Sequence, residues 1–123
     1  MRNMKLFIAI IGFSILASCQ SNTYEEISSK KTTNPTYLRD VKPIIDSKCI
    51  SCHSPTGVRS DYQLVNYAQV KASAELSVGN GGILCYIDNP TACSSSAIMP
   101  PSGRMAQSLI DLIKLWKQQG LAN

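Results

Sequence analysis

The sequence predicts an all-α domain of roughly three to five helices joined by long loops. Three observations carry that prediction. Apolar residues recur at spacings of three and four in separate stretches; no run alternates apolar and polar with comparable strength; and Gly, Pro, Ser and Asn cluster between the periodic stretches. With 123 residues, 44% of them hydrophobic, the chain supplies one domain and no more. No internal repeat is visible.

Residues 1–18 lie outside that domain. Met1 to Cys19 reads "MRNMKLFIAIIGFSILASC": Arg2 and Lys5 at the start, an apolar run from Leu6 to Leu16, then small residues. That is the layout of a secretory signal, and the apolar run is short for a transmembrane helix. The ending "LASC" resembles the bacterial lipoprotein signal, which implies cleavage before Cys19 and a lipid on its sulfur. Export is therefore expected, with lipid anchoring to a bacterial membrane on its periplasmic or cell-surface side. Loss of residues 1–18 leaves ten basic against eight acidic residues, too even a balance for nucleic-acid binding, and no basic block with interleaved aromatics exists. Residues 19–34 continue as "CQSNTYEEISSKKTTN", polar and nearly free of large apolar side chains. Such a composition buries too little surface to offset its ordering entropy, so this segment reads as a lipidated flexible tether.

The domain is then 35–123. At about ninety residues it approaches the size where a core alone is comfortable, and a prosthetic group or covalent staple would help. In "NPTYLRDVKPIIDSK", Asn34 is the expected N-cap, Pro35 the first helical residue, and Leu38, Val41 and Ile45 the buried stripe. Pro43 removes a backbone donor and is expected to kink or break this helix. A second helix is read in "SDYQLVNYAQVKASA", capped by Ser60 or Asp61, with Leu64 or Val65, Ala68 and Ala72 on one face. "VGNGG" is a turn, and a short helix is expected to follow through Ile83, Leu84 and Ile87. The last helix is the clearest. Leu109, Ile110, Leu112, Ile113 and Trp116 form a wide apolar stripe, Lys114 and Lys117 suit the C-terminal end of the dipole, and Gly120 is the stop.

Two irregular stretches, "CISCHSPTGVRS" and "CYIDNPTACSSSAIMPPSGR", hold the remaining four cysteines, the only histidine and Met99. Cys49, Cys52 and His53 admit three chemistries. A thioredoxin-like dithiol needs a preceding strand in a βαβ pattern, and none is read here. A tetrahedral zinc site needs a second ligand pair, for which Cys85 and Cys93 are widely spaced and prone to oxidation after export. Covalent haem attachment needs only Cys-x-x-Cys-His itself. That spacing sets one sulfur at each of two neighbouring vinyl groups and brings His53 to the iron as proximal ligand. Chance would produce the motif in this composition at a rate on the order of one in six hundred, which favours haem c over bystander thiols. With no second histidine, the sixth ligand falls to methionine. Met99, held between polar loop residues and Pro100–Pro101, is preferred to Met105, which sits where a staple residue packs back onto the last helix.

The stretches "YLRDVKPIIDSKCISCHS" and "IMPPSGRMAQSLIDLIKLWKQQGLAN" resemble the first and last segments of small monohaem class I cytochrome c domains, including lipoprotein-anchored bacterial forms. The likeness covers Thr36 to Ala122. It implies a cytochrome c-like fold around one covalent haem, crossing N- and C-terminal helices in contact through Leu38, Val41, Ile113 and Trp116, and axial ligation by His53 and Met99. Cys85 and Cys93 depart from the common pattern. A disulfide is expected for them, stiffening the approach to Met99 by about 2–3 kcal/mol, with two buried thiols as the alternative. The implied function is one-electron transfer by a monomer, not an enzyme, exchanging electrons with redox partner proteins in a respiratory chain. Lys42, Lys48 and Arg59 flank the attachment motif and suit an acidic partner, or are ordinary solvated cations. The alternatives are a haem-based sensor, or a module of a larger redox enzyme, with an open sixth iron site.

Overall fold

The computed structural model describes residues 32–77, 79–88, 90–93 and 97–123. The cleavage site, Cys19 and most of the tether lie outside the described residues. Among the described residues there are four α-helices and no strand, as expected of an all-α domain. They are α1 (Lys42–Lys48), α2 (Tyr67–Glu75), α3 (Ile83–Asp88) and α4 (Gln107–Gln118). A π-helical turn, Tyr37–Val41, leads into α1, and a 3-10 turn, Pro90–Cys93, follows α3. Among the described residues no helix is long and apolar enough to cross a membrane.

The N-terminal segment corrects the sequence reading in two ways. Thr36, not Asn34, is the cap: its hydroxyl accepts from the Arg39 N–H, while the Asp40 carboxylate accepts the Thr36 N–H at 2.7 Å. That reciprocal pair satisfies two free donors that Asn34 would leave outside the turn. Pro43 sits where the segment divides, as expected: the π turn ends at Val41 and α1 starts at Lys42, with Pro43 in its first turn, where no N–H is required. Leu38 is not in the core. It is 61% exposed, whereas Tyr37, Val41, Ile44 and Ile45 are buried, because the wider π turn rotates Leu38 away from Val41 and brings Tyr37 inward.

Helix α2 begins at Tyr67, not near Ser60. Asn66 caps it by accepting from the Gln69 N–H at 3.0 Å, and the Gln69 side chain returns to the Val65 N–H at 2.9 Å. Val70, Ser73 and Ala74 face inward, while Ala68 and Ala72 are exposed. The second cysteine-bearing stretch is also less irregular than its composition suggests: Cys85 sits in α3 and Cys93 ends the 3-10 turn.

Helix α4 matches its prediction. Ile110, Ile113 and Trp116 are buried, Leu109 and Leu112 pack partly against the same cluster, and Met105 is buried just before the helix. Its end is a Schellman motif. Leu121 N–H donates to the Trp116 carbonyl at 3.0 Å and Gly120 N–H to Lys117 at 3.2 Å, with Gly120 at φ +92°. This turn sends the tail back across the N-terminal segment. The Ala122 carbonyl accepts both the Tyr37 N–H at 2.8 Å and the Trp116 indole N–H at 2.7 Å, and the Leu121 carbonyl accepts the Tyr67 hydroxyl at 2.7 Å. Around these bonds Tyr37, Tyr67 and Trp116 pack with ring centroids 5.4–6.5 Å apart. The first and last helical segments are thereby fastened at one end of the domain, while Cys49 begins at the far end of α1.

Candidate functional site

Helix α1 delivers the cysteine motif. Cys49 N–H closes the helix on the Ile45 carbonyl at 2.9 Å, and the Cys49 carbonyl then accepts the N–H groups of both Cys52 and His53, at 3.1 and 2.9 Å. One turn of backbone therefore sets Cys49, Cys52 and His53 on a single surface. The chain returns over that turn: Gly57 N–H bonds to the Ser54 carbonyl and Arg59 N–H to the Cys52 carbonyl, both at 3.0 Å. At Gly57 the approach leaves no room for a side chain. A Cβ there would stand 2.6 Å from the Cys52 carbonyl carbon and closer still to its oxygen.

His53 is held from two sides by the segment after the turn. Its carbonyl accepts the Leu64 N–H at 2.9 Å, and its Nδ1 lies 2.6 Å from the Tyr62 carbonyl oxygen. A carbonyl only accepts, so Nδ1 carries the proton and Nε2 keeps its lone pair for a metal. The Tyr62 ring stands edge-on to the imidazole at 5.8 Å. Its hydroxyl is bonded at 2.5 Å to Ser73 Oγ, which also receives the Ile83 N–H at 2.9 Å. Those bonds satisfy Ser73, the one buried polar side chain among the described residues, and fix α2, α3 and the segment around His53 together.

Met99 comes from the segment after the 3-10 turn. Its N–H donates to the Tyr86 carbonyl on α3 at 3.1 Å, and Pro100 and Pro101 follow it. A cavity of about 760 Å³ is lined by Cys49, Cys52, His53 and Met99 and walled by apolar side chains such as Leu64, Ile83 and Ile87. This volume lies within the ~300–1,000 Å³ of small-molecule and cofactor sites. No protein-family model matches this chain, and no curated protein or solved structure does either.

All four residues predicted to hold the haem thus line one cavity. Two thiols, an imidazole with a free Nε2 and a thioether are soft and borderline donors suited to a transition metal. Met105 is elsewhere, buried in the main core. Cys85 and Cys93 stand at bonding distance from each other, their Cα atoms 5.7 Å apart, and both are buried. They are thereby committed to one another and do not complete a zinc tetrad with Cys49 and Cys52; among the described residues no three His, Cys, Asp or Glu side chains converge on a metal position. Burial, and to a lesser degree Cys52, pushes the Cys49 thiol up to about 11. A nucleophilic dithiol requires the opposite shift.

The cations around the motif are less available than the sequence suggests. Arg59 is held in a two-bond pair with Asp61, both at 3.1 Å, and Lys42 pairs with Asp46 at 2.5 Å and does not line the cavity. Lys48 and Arg59 do line it. Sequence reasoning missed Gly57, Tyr62 and Tyr86. Gly57 carried a faint signal, as a glycine four residues after the histidine. Tyr62 and Tyr86 act through backbone carbonyls, which leave no side-chain signature.

Proposed function

We propose that this chain is a one-electron carrier that holds a single c-type haem in the cavity between the Cys49–His53 turn and Met99. The observation that carries the reading is the convergence of Cys49, Cys52, His53 and Met99 on one largely apolar cavity of cofactor size. The residues fit the group. Cys49 and Cys52 would supply the two thioether sulfurs, His53 Nε2 and Met99 Sδ would be the side-chain donors to its iron, and the haem when bound would supply a metal that changes oxidation state by one electron.

The chain's own residues then do three things. The Tyr62 carbonyl holds His53 in one tautomer and one orientation, so the donor atom needs no rearrangement between oxidation states. Leu64, Ile83 and Ile87 exclude water from the cavity wall. Met99, fixed by its backbone bond to Tyr86, supplies a thioether that raises the potential relative to two nitrogen donors. The presence of Met99 in the same cavity as His53 favours this carrier over a sensor with an open sixth position. In this reading the class I cytochrome c likeness is a true one, the N-terminal signal directs export, a lipid on Cys19 tethers the domain to a bacterial membrane, and the partners are redox proteins.

Haem retention tests the proposal. The chain is produced in cells with a c-type maturation system and subjected to denaturing acid extraction. The expected result is haem that stays with the polypeptide, is lost in a Cys49→Ala/Cys52→Ala variant, and titrates as a single one-electron couple. Haem that extracts freely, or no haem at all, overturns it.

A further inference from the structure

Within four consecutive residues, helix α3 carries three ties to the segment that bears Met99. Cys85 is paired with Cys93, at the end of the 3-10 turn that precedes this segment. The Tyr86 carbonyl accepts the Met99 N–H at 3.1 Å. Asp88 accepts from two cations, Arg104 Nη2 on Oδ1 at 3.3 Å and Lys114 Nζ on Oδ2 at 2.9 Å. Between the second and third ties the chain closes on itself, Gly103 N–H to the Pro100 carbonyl at 3.1 Å. The Met99–Arg104 loop is therefore pinned to α3 at both ends, by a backbone bond at the methionine and by a carboxylate at the arginine.

Asp88 stands at the C-terminal end of α3, where the helix dipole locally disfavours a carboxylate. The two cations offset that, and each comes from a different part of the fold: Arg104 from the Met99 loop, Lys114 from α4. We propose that Asp88 is a positioning residue for Met99: by holding Arg104 against α3 it keeps Met99 in the cavity that His53 also lines, while Lys114 separately ties the other carboxylate oxygen to α4. This rests on the haem reading with Met99 as axial donor. The pairs are partly exposed, with Asp88 at 27% and Arg104 at 42%, so the effect is modest. A contribution in the range of such pairs changes an equilibrium roughly two- to fivefold.

The test uses the ferric holoprotein titrated with imidazole, which competes with methionine for iron. Binding is read from loss of the Met-to-iron absorption band, and thermal unfolding is recorded in parallel. Asp88→Asn and Arg104→Gln are expected to raise the apparent imidazole affinity roughly two- to fivefold. Lys114→Gln, which leaves the loop-side bond in place, is expected to leave affinity close to the wild type even where it lowers stability. A pair that serves stability alone would give the opposite pattern, with unfolding temperatures moved and affinity untouched. Unchanged affinity in both Asp88→Asn and Arg104→Gln overturns the proposal, as does a Lys114→Gln shift as large as that of Arg104→Gln. A wild type whose band survives Met99→Ala overturns the axial assignment itself, a result that no Asp88 variant imitates.

Discussion

Gly57→Ala probes the local geometry on which the site depends. The added Cβ would stand 2.6 Å from the Cys52 carbonyl carbon, about 1 Å inside the 3.5–4.0 Å at which carbon atoms rest. Both neighbours are backbone, so no side-chain rotation relieves the overlap. Either the 54–59 return moves outward or the Cys52–His53 peptide moves inward, and either motion breaks the 3.0 Å bond from Arg59 N–H to the Cys52 carbonyl. Overpacking of this kind costs about 1–3 kcal/mol and the lost bond about 1 kcal/mol more. A total near 2–4 kcal/mol lowers Tm by at least about 8 °C in a domain of this size. Because the displaced peptide joins Cys52 to His53, the yield of covalent haem should fall as well. Differential scanning calorimetry and haem quantification on the same preparations provide the assay, with the exposed Thr56→Ala as a control expected within about 0.5 kcal/mol of wild type. A Gly57→Ala protein with wild-type Tm and full haem content would refute the close approach.

Other consequences follow from the same geometry. Trp116→Phe keeps the ring in the aromatic cluster but removes the indole bond to the Ala122 carbonyl, which still holds the Tyr37 N–H; a loss of about 1 kcal/mol in urea unfolding is expected. Tyr62→Phe removes the hydroxyl bond to Ser73 and should cost a similar amount, yet leave the visible spectrum unchanged, because His53 is oriented by the Tyr62 backbone. In the haem-free chain, burial raises the Cys49 thiol from 9.0 to about 11, so the folded state keeps a proton that the unfolded state has lost. That contribution, on the order of 2–3 kcal/mol, is complete below pH 9 and is lost as pH rises to about 11. Urea midpoints should fall across that window, with Cys49→Ser as the control because Tyr37 is also shifted upward by burial. With the sulfur in a thioether there is no proton to lose, and the fall should disappear.

The most legible parts of the sequence were those where side chains alone decide. Helix α4 was readable because Ile110, Ile113 and Trp116 keep helical period and Gly120 supplies the left-handed stop. The cavity donors were readable because cysteine, histidine and methionine are rare and chemically specific. The errors arose where backbone geometry intervened. The π turn before Pro43 exchanged Leu38 for Tyr37 in the core, a phase change that a fixed 3.6-residue period cannot express. Ser60 and Asp61 are good caps by type, yet α2 starts later, because the Arg59 and Leu64 N–H groups donate to the Cys52 and His53 carbonyls and the Tyr62 carbonyl is held at His53 Nδ1. Lys42 and Arg59 read as free charges in the sequence, whereas Asp46 and Asp61, four and two residues away, pair with them in the fold.

Under the proposed function, His53 and Met99 are the two side chains that ligate one covalently attached haem. The optical spectrum of the exported holoprotein, in both oxidation states and beside Met99→Ala and Met105→Ala variants, tests it most directly. The expected result is a ferric Met-to-iron band that is present in the wild type, kept in Met105→Ala and lost in Met99→Ala. A covalent haem whose band is absent in the wild type, or persists in Met99→Ala, would contradict it.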